Sequence, residues 1–137
     1  MTLNKKFTQK ILKKIKNNIS ESEIIKAIKD YLQYLENQGR LMFIRNNSGA
    51  TVVKSNTGSR YITYGKKGSP DIFVYLSGII FGEICYLRTL ALEVKKAKGT
   101  QSKVQKEWQE NFEKLGGEYY IVRSVEDVKK IIDAKRS

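Results

Sequence analysis

Three polar residues of the sequence have the types and spacing that metal-assisted chemistry needs. Asp71 opens one apolar, β-rich run, and Glu93 and Lys95 stand at the end of another. Because side chains two apart on a strand share a face, Glu93 and Lys95 point the same way while Val94 points into the core. If the two strands pair, Asp71 joins Glu93 and Lys95 at one end of a small sheet.

Two carboxylates held this close repel each other unless a positive charge lies between them. A divalent metal ion is the simplest such charge, since Lys95 alone is a poor substitute for it. The sequence has no histidine, which excludes Ser-His-Asp and Cys-His catalysis and argues against a zinc site. Any catalysis must therefore use carboxylates, lysine, tyrosine or a hard metal ion bound through oxygen.

The charge of the chain indicates a polyanionic partner. Its 137 residues carry 26 Lys and Arg against 14 Asp and Glu, a net charge of +12, and nucleic acid is the commonest partner of so basic a protein. An Ile-, Lys- and Asn-rich proteome would account for part of this excess. The charge is clustered, however, because residues 1–16 contain six lysines and no acid, and residues 94–106 contain five lysines and no acid. The second cluster flanks the proposed metal site.

Length and composition predict one globular domain. An apolar content of 40% with 10% aromatic residues is typical of a folded chain, and this length suffices for one core. No apolar run reaches the roughly 18–20 residues of a membrane helix, so we expect no membrane partner. The basic N-terminus lacks the uninterrupted apolar segment of a signal peptide. The lone Cys85 rules out an internal disulfide and suits a reducing, cytoplasmic location.

The order of hydrophobic patterns predicts an α/β (α+β) fold in the order α-β-β-β-α-β-α, with a small mixed sheet flanked by helices. Helical spacing and capping residues predict one helix from Ser20 to Gly39, one that begins at Thr100 or Ser102 and runs to Leu115, and one that begins at Ser124. The β-rich runs lie at 41–46, 71–75, 79–92 with its continuation 90–95, and 118–122. The strand, helix and strand between about 90 and 122 predict a right-handed parallel crossover. The earlier strands are expected to be antiparallel neighbours.

Three further local predictions follow from the composition of the segments. Residues 50–69, polar and glycine-bearing, are expected to form a long loop or a loose hairpin. Ser77-Gly78 is expected to turn the chain. The apolar stretch from Ile79 to Leu92 is then expected to form one long or two short buried strands, with Cys85 buried among them.

The first 19 residues predict a basic N-terminal helical extension. Phe7, Ile11, Ile15 and Ile19 recur every four residues with lysines between them, which is typical of an amphipathic helix. This helix can pack on the core, dock on a partner chain or remain a loose basic arm, and the pattern does not distinguish these. Residues 20–137 are predicted to form the single remaining domain.

Two polar residues near helix starts have two candidate roles each. Ser20 with Glu23, and Ser102 with Gln105, match the capping-box pattern, in which the second side chain bonds back to the first residue's backbone N–H. For Glu23 the residues alone favour this capping role over a metal role. Gln105 lies one turn into a helix that follows Lys95, so it can also reach back toward the proposed site.

With these residues in view, the chain resembles the PD-(D/E)xK nucleases, and among them the VRR-NUC (virus-type replication-repair nuclease) domain. The matching pieces are Ser22-Glu23-Ile24, Arg45-Asn46-Asn47-Ser48-Gly49, Gly68-Ser69-Pro70-Asp71, Glu93-Val94-Lys95, Ser102-x-x-Gln105, and Gly116-Gly117 followed by Val122-Arg123-Ser124-Val125-Glu126-Asp127. This ordered set runs from about 20 to 130 and is far more specific than a bare Glu-x-Lys. The segment 72–92 is longer than in the compact family version, and residues 1–19 have no counterpart that we identify.

The resemblance implies a restriction-endonuclease-like core that binds Mg²⁺ or Mn²⁺ through Asp71, Glu93 and the Val94 carbonyl, with a helix-borne acid, here Glu23, completing the site. A divalent ion bound through oxygen keeps several waters and makes a bound water acidic enough to attack phosphorus. Lys95 would orient that water or offset charge on the phosphate.

The family also implies a site role for Gln105. For this residue, as for Glu23, a site role therefore stands against the capping role. The basic residues expected to bind DNA phosphates are Lys96, Lys98, Lys103, Arg45, Arg60, Lys66 and Lys67.

These expectations combine into a metal-dependent DNA endonuclease that hydrolyses phosphodiester bonds in branched DNA, such as four-way junctions or flaps, during replication, repair or recombination. Cutting both strands of a junction needs two sites, so a homodimer or higher homo-oligomer is expected. Two alternatives remain. One is a non-catalytic, basic nucleic-acid-binding protein, supported by the charge alone, and the other is a restriction-type endonuclease on the same core.

Overall fold

The structure, a computed structural model, describes residues 2–135, with side chains from residue 4 onward. In chain order its elements are α1 (Thr2–Asn18), α2 (Glu21–Asn37), β1 (Met42–Arg45), β2 (Gly49–Ser55), β3 (Gly58–Tyr64), β4 (Ile72–Ile80), β5 (Glu83–Val94), α3 (Lys103–Lys114), β6 (Glu118–Val122) and α4 (Val125–Ala134). Among these residues, no helix is long and apolar enough to cross a membrane.

Four strands form a mixed sheet in the order β1-β4-β5-β6. The β1–β4 and β4–β5 pairs are antiparallel, while β5 and β6 are parallel and joined through α3. The predicted α+β class and the order α-β-β-β-α-β-α are confirmed by α2, β1, β4, β5, α3, β6 and α4. The segment at 50–69 is largely the β2–β3 hairpin, a separate two-stranded sheet inserted between β1 and β4.

The two faces of the sheet are covered by different helices. Alternate residues of the central strands, such as Ile72, Leu90 and Leu92, are fully buried in one core with apolar side chains of α2 and α4. On the other face, the Phe73 ring lies 6.0 Å from that of Trp108 on α3. Because side chains alternate along a strand, Glu93 and Lys95 lie on the α3 side and Leu92 on the opposite side.

The predicted turn at Ser77-Gly78 is wrong, because β4 continues through both residues. Gly78 instead permits a close approach: a Cβ at this position would lie 2.3 Å from the Tyr86 ring of β5. The pairing of β4 with β5 shifts register between Gly78 and Ile79, and the chain turns at Phe81-Gly82, both with positive φ. Gly78, which the sequence pattern assigns to a turn, therefore lies within β4 and makes room for the Tyr86 ring.

The prediction that residues 79–92 are buried is wrong for their first nine residues. Every side chain from Ile79 to Leu87 is exposed, including Cys85, whereas burial is complete from Leu90 onward. These residues are exposed because β4 and β5 are longer than the strands beside them: β1 pairs with β4 only as far as Tyr75, and β6 pairs with β5 only from Leu90. We call the uncovered segment, residues 79–87, the arm.

The predicted amphipathic helix of the N-terminal extension is present as α1, with Met1 outside the described residues. Every α1 side chain from Asn4 to Asn18 is exposed, including the apolar Phe7, Ile11 and Ile15. The helix therefore does not pack on the core, which removes one of the three arrangements that its pattern allowed.

Candidate active site

The loop that carries Asp71 is tied to the end of β1. The Asn46 backbone N–H donates to the Asp71 carbonyl oxygen at 2.8 Å, and its side-chain amide donates to Ser69 Oγ and to the Pro70 carbonyl, each at 2.8 Å. Ser69 Oγ in turn donates to the Lys66 carbonyl. These bonds fix the backbone of Asp71, the residue before β4, independently of any contact of its side chain.

Glycine at position 68 lets this loop lie against α3. Gly68 has φ +86°, and a Cβ there would lie 2.5 Å from Val104 Cγ1. A side chain at this position would therefore be strained by the backbone and would collide with the first turn of α3. The close contact brings the Asp71 loop and the helix that bears Gln105 to the same end of the sheet.

The Asp71 carboxylate is held against the end of β5. Its Oδ2 accepts a hydrogen bond from the Val94 N–H at 2.7 Å, and its Oδ1 lies 3.5 Å from Arg45 Nη1. Ile72 pairs with Leu92, so continuing the antiparallel register by one residue places Asp71 against Glu93. The Val94 backbone thus lies next to the Asp71 carboxylate, and the Val94 carbonyl and this carboxylate are the groups expected to bind the same metal ion.

Glu93 is 2% exposed, and its carboxylate is surrounded by hydrogen-bond donors. Gln105 Nε2 donates to Oε1 at 2.7 Å, Lys95 Nζ lies 3.4 Å from the same oxygen, and the Tyr119 hydroxyl donates to Oε2 at 3.4 Å. Lys95 is itself 9% exposed. Glu93 and Lys95 therefore face the same space, as their spacing predicts, and both are removed from bulk solvent.

Burial raises the pKa of both acids. Burial, followed by the charge of Asp71, raises the pKa of Glu93 to about 7, against the opposing effect of Lys95. Burial also raises the pKa of Asp71, although the Val94 N–H and Arg45 partly offset it. Burial and the Glu93 charge raise the pKa of the Tyr119 hydroxyl, which stays a donor to Glu93. Both acids would ionise more readily beside an additional cation.

Gln105 completes the predicted capping box and also reaches the Glu93 carboxylate. Its Oε1 accepts a hydrogen bond from the Ser102 N–H at 2.8 Å, which completes a capping box, while its Nε2 donates to Glu93. An amide can do both because it carries an acceptor and a donor. The cap thus orients the side chain that contacts the buried acid.

Glu23 occupies the capping role, and its predicted place in the metal site is corrected. Its Oε2 accepts hydrogen bonds from the Ser20 N–H at 2.8 Å and from Ser20 Oγ at 2.9 Å, which lower its pKa. The acid of α2 whose charge reaches Asp71 is Glu21, which contributes to the raised pKa of Asp71. Glu21 Oε1 also lies beside Gly99, in the turn after Lys95.

Most of the predicted DNA contacts are open to solvent. Lys96, Lys98, Lys103, Arg60, Lys66 and Lys67 all have exposed side chains. Arg45 differs, because it is half-buried and its Nη1 donates to the Asp71 carbonyl at 2.6 Å and to the Asn46 carbonyl at 2.8 Å. Arg45 therefore supports the Asp71 loop, and its predicted contact with DNA stays a prediction.

Three contributors were missed by reasoning from the sequence. Tyr119 and Glu21 are described above, and Arg123 holds the lysine-bearing turn by donating from Nη1 to the Lys96 carbonyl at 2.6 Å and to the Gly99 carbonyl at 2.9 Å. Tyr119 pairs with Ala91, two residues before Glu93, so it lies on the same face of the sheet as Glu93. Strand alternation predicts this face only once the register between β5 and β6 is known. No local pattern marks Glu21, and Arg123 lies in a piece that matches the family without a role being predicted for it.

The site suits a hard divalent ion in its chemistry but offers few acids. Within residues 2–135, no group of three or more His, Cys, Asp or Glu side chains is arranged to hold a metal ion. Asp71 and Glu93 remain a carboxylate pair with raised pKa values beside a strand-end backbone. Mg²⁺ binds through one or two carboxylates and keeps several waters, so this donor set fits such an ion.

Comparison with known proteins adds nothing to this geometry. No protein-family model matches the chain, and neither the curated proteins nor the solved structures contain a match to it.

Proposed function

We propose that this protein is a metal-dependent DNA endonuclease of the VRR-NUC type, within the PD-(D/E)xK nucleases, that hydrolyses phosphodiester bonds in branched DNA. The observation that carries the proposal is the pair Glu93 and Lys95, the two buried charged residues of the described chain, which lie 3.4 Å apart with Asp71 beside them. Removing charges from water is expensive. A protein that only binds nucleic acid has no need of this arrangement.

The resident ion would be Mg²⁺ or Mn²⁺, held by Asp71, Glu93 and the Val94 carbonyl. When bound, such an ion makes water more acidic and draws charge from the phosphate. Gln105 and Tyr119 orient the Glu93 carboxylate, and the Val94 N–H orients that of Asp71. The chain thus presents both acids in fixed positions, without reorganisation when substrate arrives.

We assign to Lys95 the role of acting on the substrate. Its Nζ lies within 3.4 Å of Glu93 and its side chain is nearly enclosed. In a site with little water, a fixed ammonium stabilises charge that develops on a phosphate more strongly than it would on the surface. The exposed lysines nearby, which include Lys96 and Lys98, would bind the neighbouring phosphates.

Cleavage assays test the proposal directly. Supercoiled plasmid and a synthetic four-way junction are incubated with wild-type protein, Lys95→Ala and Lys129→Ala, each in Mn²⁺ or in EDTA. Lys129 is exposed on α4, so its variant controls for the loss of one positive charge. We expect cleavage in Mn²⁺ only, reduced roughly 10²–10³-fold in Lys95→Ala and little changed in Lys129→Ala.

Each other outcome favours a different function. DNA binding without metal-dependent cleavage would favour a non-catalytic nucleic-acid-binding protein. Cleavage of the plasmid at one fixed sequence would favour a restriction-type enzyme. Cleavage by Lys95→Ala at the wild-type rate would remove the mechanism, since it assigns the transition-state charge to that ammonium.

A further inference from the structure

The arm, residues 79–87, exposes a contiguous group of large apolar side chains. The six that are exposed are Ile79, Ile80, Phe81, Ile84, Tyr86 and Leu87, and Phe81 at the tip is completely exposed. Single exposed hydrophobic residues are normal on a protein surface, but a contiguous group of this size marks an interaction site.

The arm is also nearly free of charge. Between Ile72 and Leu87 the chain has one charged residue, Glu83, although 29% of all its residues are charged. The cores of protein–protein interfaces are depleted of charge and enriched in aromatic side chains. Nucleic acid is not the occupant that this surface suits, because phosphates need the lysines and arginines that the arm lacks.

Both edges of the arm are open. β1 pairs with β4 only over residues 72–75, and β6 pairs with β5 only over residues 90–94. In the described part of the chain, no strand therefore lies beside residues 79–80 or 83–87 on their outer sides. An open edge presents a row of backbone N–H and C=O groups that is able to pair with another strand.

We propose that the arm binds a second copy of this chain, with residues 83–87 of β5 pairing edge to edge and antiparallel with the same residues of the partner. An antiparallel strand pair made from two identical segments is related by a two-fold axis, so one surface serves both subunits. The apolar side chains that flank this edge then pack against their own copies. A different protein that adds a strand to the same edge is the alternative that the test below separates.

The available area fits a stable dimer. A large side chain that is fully buried removes about 150–250 Å² from water, so the six exposed side chains of the arm offer on the order of 600–900 Å² at their observed exposures. A standard interface buries about 800 Å² per partner. The arm alone therefore approaches this area when the partner covers Ile79 and Ile80 of β4 as well as the side chains beside the β5 edge.

The high net charge does not prevent this pairing. The lysine-rich turn begins at Lys95, eight residues beyond Leu87 along β5, which is roughly 26 Å of strand. The Debye length at physiological salt is about 8 Å. The two basic bodies would thus be held apart by the arms, and their repulsion would be screened.

Sedimentation equilibrium in EDTA and without DNA tests the pairing independently of any nuclease activity. We expect a dimer for the wild-type protein at micromolar concentration, and a dissociation constant raised at least tenfold in Ile84→Lys, because a lysine on the edge disfavours strand pairing. The matched control is Tyr61→Lys, which adds the same charge on the other exposed hairpin at a side chain that is 70% exposed. This variant should dimerise like the wild type.

Cys85 supplies a second measurement. It is the single cysteine of the sequence and its side chain is exposed on the arm. A short bismaleimide should therefore link two wild-type chains through Cys85, and the linked product should be lost in Ile84→Lys. Phe81→Asn provides a variant that retains the fold, because asparagine tolerates the positive φ of 52° at the tip. It should weaken association in the same direction.

Three results would overturn the proposal. A wild-type protein that stays monomeric at tens of micromolar would show that the arm does not pair with itself. Dimerisation of Ile84→Lys and Phe81→Asn at the wild-type affinity would place the interface elsewhere. A wild-type dimer without cross-linking at Cys85 would do the same. None of these depends on metal or DNA, so the proposed nuclease activity can fail while the pairing stands, and the reverse.

Discussion

In most folded proteins charged side chains are exposed and large apolar side chains are buried, and the two ends of the β4–β5 pair each depart from one part of this rule. At the site end, Glu93 and Lys95 are buried charges. At the arm end of the same strands, Phe81 and Ile84 are exposed apolar side chains. Charged residues are almost never fully buried unless they are paired, and large exposed apolar patches are rare.

The difference follows from what covers each end. β1, β6 and α3 surround the site end, and Gln105 and Tyr119 from these neighbours donate to the buried carboxylate. Within the described chain, no buried side-chain nitrogen or oxygen lacks a hydrogen-bond partner. The arm has no such cover. The site end thus encloses charged side chains among hydrogen-bond donors, whereas the arm end leaves apolar side chains uncovered.

The largest effect is expected from exchanging one carboxylate at each end of β5. Glu93→Gln should lower metal-dependent cleavage by about 10³-fold or more, since it removes a charged oxygen from a buried site without changing its shape. Glu83→Gln makes the same chemical change at the exposed end and should leave the cleavage rate within about twofold. Rates on one junction substrate in Mn²⁺ measure both.

If both variants cut at the wild-type rate, the buried end has no special role and the comparison of the two ends loses its functional meaning. If both lose activity alike, Glu83 contributes to substrate binding and the arm is part of the active surface. Circular dichroism of the two variants verifies that each has kept its fold.

More of the candidate site than of its surroundings could be predicted from the sequence, because the positions of Glu93 and Lys95 follow from a short local pattern. The two-residue period of a strand places Glu93 and Lys95 on one face, and Pro70 indicates that a strand begins close to Asp71. The support from Arg45 and Asn46 was not predictable, because it depends on the antiparallel register between β1 and β4. Exposure of the arm was also missed, since an apolar run shows that burial is possible and not whether neighbouring strands reach it.

The next largest effect is expected on the free energy of unfolding when a leucine near each end is shortened to alanine. Leu90 is fully buried and Leu87 is 66% exposed, although they are three residues apart on β5. Leu90→Ala should reduce the free energy of unfolding by about 2–5 kcal/mol, because it leaves a cavity in the core. Leu87→Ala should change it by about 0.5 kcal/mol or less in the monomer. Urea denaturation at a concentration where the protein is monomeric compares them, and equal losses would mean that the arm is packed in solution.

A smaller effect is expected from the protonation of Glu93. Its folded pKa of about 7 lies above the ordinary glutamate value of 4.5, so between these pH values the folded state keeps a proton that the unfolded state releases. The free energy of unfolding should therefore fall as the pH rises from about 4.5 to 7 and stay low above it. The full loss is about 3 kcal/mol, since one pKa unit corresponds to about 1.36 kcal/mol.

Urea denaturation in EDTA at pH 5 and pH 8 measures this loss. Glu93→Gln should lose much less stability between the two pH values, and it should be more stable than the wild type at pH 8. Glu118, whose pKa is lowered to about 2 by Arg88 and Lys135, acts in the opposite direction but only below about pH 4.5. A wild-type protein as stable at pH 8 as at pH 5 would mean that the Glu93 carboxylate is hydrated in solution.

The smallest effect distinguishes the two acids at the start of α2. Sequence pattern marks Glu23, because a capping box is a local motif, yet its carboxylate is held by Ser20 while the charge of Glu21 reaches Asp71. Glu21→Gln should make the site less negative and raise the Mn²⁺ concentration needed for half-maximal cleavage, roughly tenfold or less.

Glu23→Gln is the matched control for this change. Glutamine still completes a capping box, as Gln105 does at the start of α3, so neither the helix nor the Mn²⁺ requirement should alter. Cleavage measured over a Mn²⁺ titration decides between the two acids. A higher requirement in Glu23→Gln than in Glu21→Gln would return the helix-borne acid to the position that the family resemblance implies, and the capping bonds to Ser20 would then have to open when metal binds.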